Sequence, residues 1–189
     1  AADASTEVDA FGLDAQYLAR SRPLLDFLYE RWWRVAVVGA QQIPEAPRVL
    51  FVANCSGVLP WDALMLAQAV EREHPSHRRP RFLVSDHVMT RPFLPPVLAR
   101  LGAVRAHREN AERVLGRDEW LIAFPEGHKG ALKPFRERYR LQRFGRGGFV
   151  PLALRRRASL VPVAIVGAEE THPVLGRMDL LEHLLGASL

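Results

Sequence analysis

Apolar residues along this chain come in short blocks set between polar ones, and the blocks alternate in kind. Val35-Ala-Val-Val-Gly39, Arg48-Val-Leu-Phe-Val-Ala-Asn54, Arg81-Phe-Leu-Val-Ser85, Glu119-Trp-Leu-Ile-Ala-Phe-Pro125 and the run from Leu160 to Glu170 are compact and rich in branched residues. They read as buried strands. Between them lie longer stretches with helical spacing. In residues 15–34, Leu24, Leu25, Leu28 and Trp32 recur on one side, with Asp26, Glu30, Arg31 and Arg34 elsewhere on the wheel. Residues 62–73 form a helix with Asp62 placed as its N-cap. Residues 92–102 read as a short, proline-interrupted helix, and residues 109–116 as one closed by Gly116. Residues 145–158 open with glycines and become helical, Pro151 fitting the first turn.

Strands separated by helices of this length predict an α/β domain: a mixed, mostly parallel sheet flanked by helices, led by an N-terminal amphipathic helix. The division expected is a lead-in with that helix over residues 1–34 and the α/β domain over residues 35–189. The tail Asp179–Leu189 reads as a helix without a clear domain end, which fits a chain that continues in a longer protein. Pro23 either sits in a first turn or splits the leading helix. Trp32-Trp33 between Arg31 and Arg34 is the composition of an interfacial anchor, and equally that of a helix packed on the core.

Composition narrows the class. With 189 residues and 48% apolar content, the chain is long enough for one domain with a sizeable core. No run of about 18 apolar residues is present, so no spanning helix is expected. The acidic opening residues carry no basic-then-apolar leader pattern. One cysteine excludes an internal disulfide and points to a reducing compartment. The formal net charge is +5, and residues 129–157 hold ten Lys and Arg against the single acid Glu137. Such a stretch is either a solvated basic face or a surface for phosphate or anionic membrane. No nucleic-acid module, metal-ligand spacing, phosphate-binding Gly-Lys loop or serine-hydrolase elbow is present.

Ligands of an α/β sheet gather beyond the carboxyl ends of its strands. Three turns lie at such ends: Asn54-Cys-Ser-Gly-Val-Leu-Pro-Trp-Asp62, Phe124-Pro-Glu-Gly-His-Lys-Gly130, and the end of the last strand. A fourth segment, residues 101–110, leads into a helix N-terminus. Together they resemble the four motifs of the glycerolipid acyltransferase family, the lysophosphatidic acid acyltransferase-like proteins. The blocks are an Asp following an Asn-x-Ser-Gly turn, Gly102-x-Val104-x-x-x-Arg108, Phe124-Pro-Glu-Gly127 and Val161-Pro-Val163. The runs 133–155 and 166–177 are similar to a bacterial subgroup of predicted phospholipid/glycerol acyltransferases. All four blocks occur in the family's order.

The resemblance implies transfer of a fatty acyl chain from a thioester donor to a hydroxyl of a glycerolipid acceptor. Acyl-CoA or acyl carrier protein serves as co-substrate, and no resident cofactor or metal is expected. It implies a cytoplasmic protein, peripheral to the inner face of the membrane, with an anionic phospholipid surface as partner. Site residues carry over by position. Arg108, Glu126, Gly127 and Lys129 bind the acceptor and its phosphate, and Lys133 adds positive field there. Pro162 shapes the acyl site. Asp62 matches the Asp that orients the family's His base.

That His is missing. Its position is Cys55, and six residues rather than the usual four separate it from Asp62. A thiol is a poor general base beside imidazole, and Asp62 raises its pKa further. Three accounts stay open: a scaffold that binds lipid without transferring acyl groups; a working enzyme in which Cys55 carries the acyl chain as a thioester; or an enzyme using another base, including the case in which Cys55 is an introduced replacement. His128, directly after the Glu126-Gly127 turn, is the one histidine expected near the acceptor. His87, His107 and His172 are placed in loops or at element ends, and His74, His77 and His183 on the solvated surface.

Overall fold

In a computed structural model of the chain, residues 8–57, 59–144 and 147–171 are described, apart from the side chain of His128. Five strands form one sheet: β1 (Val49–Ala53), β2 (Arg81–Val84), β3 (Ala103–Arg105), β4 (Leu121–Ala123) and β5 (Ser159–Val163). Their order is β3-β2-β4-β1-β5 and every ladder is parallel, so all five carboxyl ends share one edge of the sheet. β1 lies between β4 and β5, with Leu50 beside Leu121 and Leu160. It is buried along its whole length, as its unbroken apolar run requires.

Helices cover both faces. On one lie α1 (Ala15–Phe27), α2 (Trp61–Glu73) and α4 (Leu94–Arg100), packed over Val49, Phe51, Phe82 and Ile122. On the other lie α5 (Arg108–Leu115) and α7 (Phe149–Arg156), over Leu50, Val52, Val104 and Leu121. Short helices α3 (Asp86–Met89), α6 (His128–Ala131) and α8 (Ala168–Thr171) sit on loops following β2, β4 and β5. No helix among the described residues is long and apolar enough to cross a membrane.

The structure revises several expectations. Residues 35–39 are not a strand: the run finds no partner, and Val38 is 99% exposed. The fifth strand is β3, inside the segment 101–110 that by sequence is only a lead-in to a helix; at three residues it is too short to show a period. β5 ends at Val163, where Gly167 (φ 86°) turns the chain into α8, so Ala168–Glu170 are not strand. α2 begins at Trp61 with Pro60 as its cap residue, which moves Asp62 from the cap into the first turn. Pro23 does not split α1; the helix runs through it and continues as a wider π-turn over Leu28–Trp32. Leu25 and Tyr29 are buried, whereas Leu24, Phe27 and Trp32 stay exposed. His74 is not on the surface but fully enclosed: its Nε2–H donates to the Ile43 carbonyl, Nδ1 accepts from the Ser76 amide, and Trp120 packs against its edge. His87, His107 and His77 are exposed. His172, His183 and the expected tail helix lie outside the described residues.

Candidate active site

The carboxyl edge of the sheet gathers the first and third sequence blocks. Asn54 follows β1, and its side-chain amide takes over where the strand ladder stops. Its Nδ2 donates to the Ile165 carbonyl at 2.8 Å, and its Oδ1 accepts from the Ile165 amide at 2.7 Å. A primary amide offers the donor and acceptor that a backbone peptide would. The first turn is thereby fixed to the chain leaving β5.

Cys55 comes next and is buried. Its thiol donates to the Gly127 carbonyl at 3.4 Å. Gly127 has φ +57°, the left-handed conformation that glycine adopts without strain, and so turns β4 into α6 over the thiol. Gly130 completes this close approach. A Cβ there would lie 2.6 Å from Glu126 Oε2 and 2.9 Å from Cys55 Sγ, so only glycine fits. Burial pushes the Cys55 thiol far up from its ordinary value, and the carboxyls of Asp62 and Glu126 add to this; Lys133 works weakly the other way.

Asp62 accepts one backbone N–H on each oxygen: Ser56 N on Oδ2 and Ala63 N on Oδ1, both at 2.9 Å. Among the described residues no cation is paired with it. Burial pushes its carboxyl up to about 7, against the pull of backbone hydrogen bonds from Ser56, Ala63 and its own N–H, and nearby Glu126 adds to the rise. Asp62 is half-buried, whereas Glu126 is buried. Its Oε2 accepts from the Gln142 amide at 3.3 Å, while Oε1 has no partner. Burial raises this carboxyl as well.

A cleft of about 640 Å3 opens beside this turn. Its walls are largely apolar: Trp33 and Val35 from the segment after α1, Trp61 and Met65 from α2, and Val163 and Ile165 from the β5 exit. Ser56 and Asp62 form part of its polar lining. Ser56 also borders a water-sized cavity shared with Lys133 and Glu169, and its buried hydroxyl has no partner. Cys55 lines neither space.

A domain with this sheet and this turn geometry invites comparison with known proteins. A family model described as Acyltransferase matches residues 34–166. The chain belongs to the acyltransferase family, the lysophosphatidic acid acyltransferase-like glycerolipid group. It is 47% identical over 180 residues to uncharacterized proteins of Mycobacterium tuberculosis (strain H37Rv) and Mycobacterium bovis, covering 95% of this chain and 50% of theirs. An uncharacterized protein of Mycobacterium leprae is 46% identical, with 95% and 49% covered. The chain thus spans about half the length of these relatives. No solved structure matches it.

In this acyltransferase domain the expected site residues separate into two groups. Cys55, Asp62, Glu126 and Gly127 converge around one turn. Arg108, Lys129 and Pro162 do not join them. Arg108 opens α5 after β3, two strands from β4 and so about 10 Å across the sheet. Its exposed side chain pairs with Glu112 at 3.0 Å. Lys129 is exposed on α6. Pro162 sits on the edge strand, where its missing N–H costs no ladder bond, with an exposed side chain outside the cleft wall. Lys133 is buried, not free: it pairs with Glu169 and donates to the Arg140 carbonyl at 2.7 Å. The sequence reading missed Ser56, Gly130 and Glu169. Gly130 had a signal, a second glycine three residues after Gly127; Glu169 had none.

Proposed function

We propose that the domain transfers a fatty acyl chain from a thioester donor, acyl-CoA or acyl carrier protein, to a hydroxyl of a lysophospholipid-like or other glycerolipid acceptor at an anionic membrane surface. The observation that carries this reading is the apolar cleft with Asp62 and Ser56 in its wall. Its volume is within the range of sites that enclose a small ligand, and its lining suits a hydrocarbon chain better than a polar group.

Membership of the acyltransferase family supports an acyl donor and a lipid acceptor. On the acceptor side, Glu126 offers an unpartnered oxygen for a glycerol hydroxyl, and Arg108 and Lys129 offer exposed cations for a phosphate. Membrane contact is supported by the exposed Leu24, Phe27 and Trp32 on the leading helix and by the exposed Arg136, Arg138, Arg140 and Arg143. We place the protein on the cytoplasmic face of the membrane, consistent with one free thiol.

The test is release of free thiol from a long-chain acyl-CoA in the presence of anionic vesicles carrying a lysophospholipid, with the diacyl product identified by mass spectrometry. Thiol release that depends on the acceptor is the expected result. Tight binding of a fluorescent fatty-acyl probe with no release and no product identifies the domain as a non-catalytic lipid-binding module instead.

A further inference from the structure

Position 55, where the resemblance places the family's base, holds a cysteine, and the structure shows which described groups line the cleft beside it. Cys55 is closed off. It is 8% exposed, its S–H is engaged by the Gly127 carbonyl, α6 lies over it with Gly130 in close approach, and it borders neither cavity. A buried thiol beside two carboxyls does not ionise readily, so it serves poorly both as a base and as an acyl carrier.

Asp62 and Ser56 differ from Cys55 in position: Ser56 is equally buried, but both residues belong to the wall of the apolar cleft. The Asp62 carboxylate accepts backbone N–H groups and, among the described residues, no side-chain cation, leaving lone-pair capacity on its oxygens. Ser56 holds Asp62 through its amide, while its buried hydroxyl is left without a partner. A buried, unpaired hydroxyl costs free energy that a bound ligand atom would recover.

We propose that Asp62 and Ser56 together replace the missing imidazole: the Asp62 carboxylate takes the proton of the acceptor hydroxyl directly, and the Ser56 hydroxyl donates a hydrogen bond to the thioester oxygen as negative charge develops there. The inference rests on the acyl-transfer reading above. The acceptor oxygen, losing its proton to Asp62, bonds to the thioester carbon. The electron pair pushed onto the thioester oxygen returns, the carbon–sulfur bond breaks, and the leaving thiolate takes the proton back from Asp62. The products are one ester and one free thiol, with no covalent enzyme intermediate.

The carboxylate form is the active one, so the burial that lifts Asp62 to about 7 sets where activity appears as pH rises. The charged or titratable groups facing it are Glu126 and Cys55 from the neighbouring turns, and Arg34 and Glu170 in the same cleft. Its position in the first turn of the 13-residue helix α2 partly offsets the cost of the charge.

The experiment measures acceptor-dependent thiol release by the whole chain from a long-chain acyl-CoA, with a monoacylglycerol phosphate in vesicles as acceptor, for wild type, Cys55→Ala, Ser56→Ala, Ser56→Thr and Asp62→Asn. The expected results are as follows. Wild-type kcat rises with pH through a midpoint near 7. Cys55→Ala keeps that profile and a rate within a few-fold of wild type. Asp62→Asn lowers kcat by ~100-fold or more with KM for acyl-CoA little changed. Ser56→Ala lowers kcat by roughly 100-fold, and Ser56→Thr restores part of it. Thermal melts and binding of a fluorescent acyl probe show that each variant is folded. An acyl adduct on Cys55 in the intact mass, or loss of transfer in folded Cys55→Ala, overturns the inference, as does a folded Asp62→Asn that keeps wild-type kcat. In each of these cases wild-type transfer survives, so the acyl-transfer reading stands. If wild type binds the acyl probe but transfers nothing to any hydroxyl acceptor, that reading falls and the inference falls with it.

Discussion

The two edges of the sheet both bury ionisable groups, and they treat them differently. At the amino edge, Arg81 at the start of β2 is enclosed between Asp9 and Glu119, and Arg79 pairs with Glu71 at 2.6 Å and bonds Gln68 at 3.0 Å. Some guanidinium N–H groups there lack partners, yet each buried cation faces an opposite charge. The nearby His74 has both ring nitrogens engaged. At the carboxyl edge the arrangement is one-sided. Among the described residues Asp62 has no cation, Glu126 keeps one oxygen free, Ser56 has an idle hydroxyl, and Lys133, the one buried cation there, is taken up by Glu169. Burying a charge without a partner costs stability, so the unbalanced carboxyl edge is the one that fits the proposed acyl-transfer site.

The largest effect expected from breaking this contrast is at the balanced edge. Arg81→Ala leaves Asp9 and Glu119 near one another with no cation. It should cost about 2 kcal/mol or more, read as a lower midpoint in a urea melt, without altering acyl-probe affinity in the protein that remains folded. Equal losses of stability and affinity would show that the edges are not independent.

Filling the close approach at the other edge comes next. Gly130→Ala puts a methyl group into Glu126 and Cys55, and should destabilise by about 1–3 kcal/mol while impairing thiol release. Unchanged melting and activity would mean that α6 shifts away at no cost.

The unpaired Asp62 makes a prediction of opposite sign to that for a salt-bridged carboxylate. Its folded value lies above its unfolded one, so between roughly pH 4 and 7 the native state binds a proton that the unfolded chain has released. Its contribution to stability therefore falls as pH rises through that window, by at most about 1.4 kcal/mol per pH unit. The Asp62→Asn variant should show a flatter profile there, and a higher melting temperature than wild type at pH 8. A profile identical to wild type would remove the buried charge from the account.

The smallest expected effect belongs to Arg108, which lies on neither side of the contrast. Arg108→Ala should leave the melting temperature unchanged, because the pair with Glu112 is exposed and Arg155 and Arg156 also reach that carboxylate. If it binds the acceptor phosphate, KM should rise for a phosphorylated acceptor only. An equal rise for an unphosphorylated one would assign it a different task.

Much of the fold was legible because apolar runs report burial directly. β1, β2 and β4 are continuous runs in a sheet covered on both sides, and α2 carries its apolar stripe at helical spacing. The misreadings have local causes. Residues 35–39 look like a strand by composition, but a strand needs a neighbour, and that run lies along the cleft instead. β3 is too short to announce itself. His74 sits in the polar stretch Glu71–His77, and nothing in that context reveals that Trp120, some 46 positions later, closes over it. The candidate site was read from its turns, which carry the distinctive residue types and which the structure brings together at Cys55, Asp62, Glu126 and Gly127. The role of Cys55 was not, since the identity of a side chain does not say which way it faces.

By itself the sequence determined a mostly parallel α/β architecture, the turns at the carboxyl ends of its strands that are expected to carry the site, and a cysteine rather than a histidine after Asn54. Each follows from residue type and order. Only the tertiary structure decided where these side chains lie: Cys55 is buried against Gly127 and Gly130, and Asp62 and Ser56 line the cleft. The reason is physical. Access and pKa are set by which groups are excluded from water together, and residues 55, 62, 126 and 130 are brought together by the parallel pairing of β1 with β4.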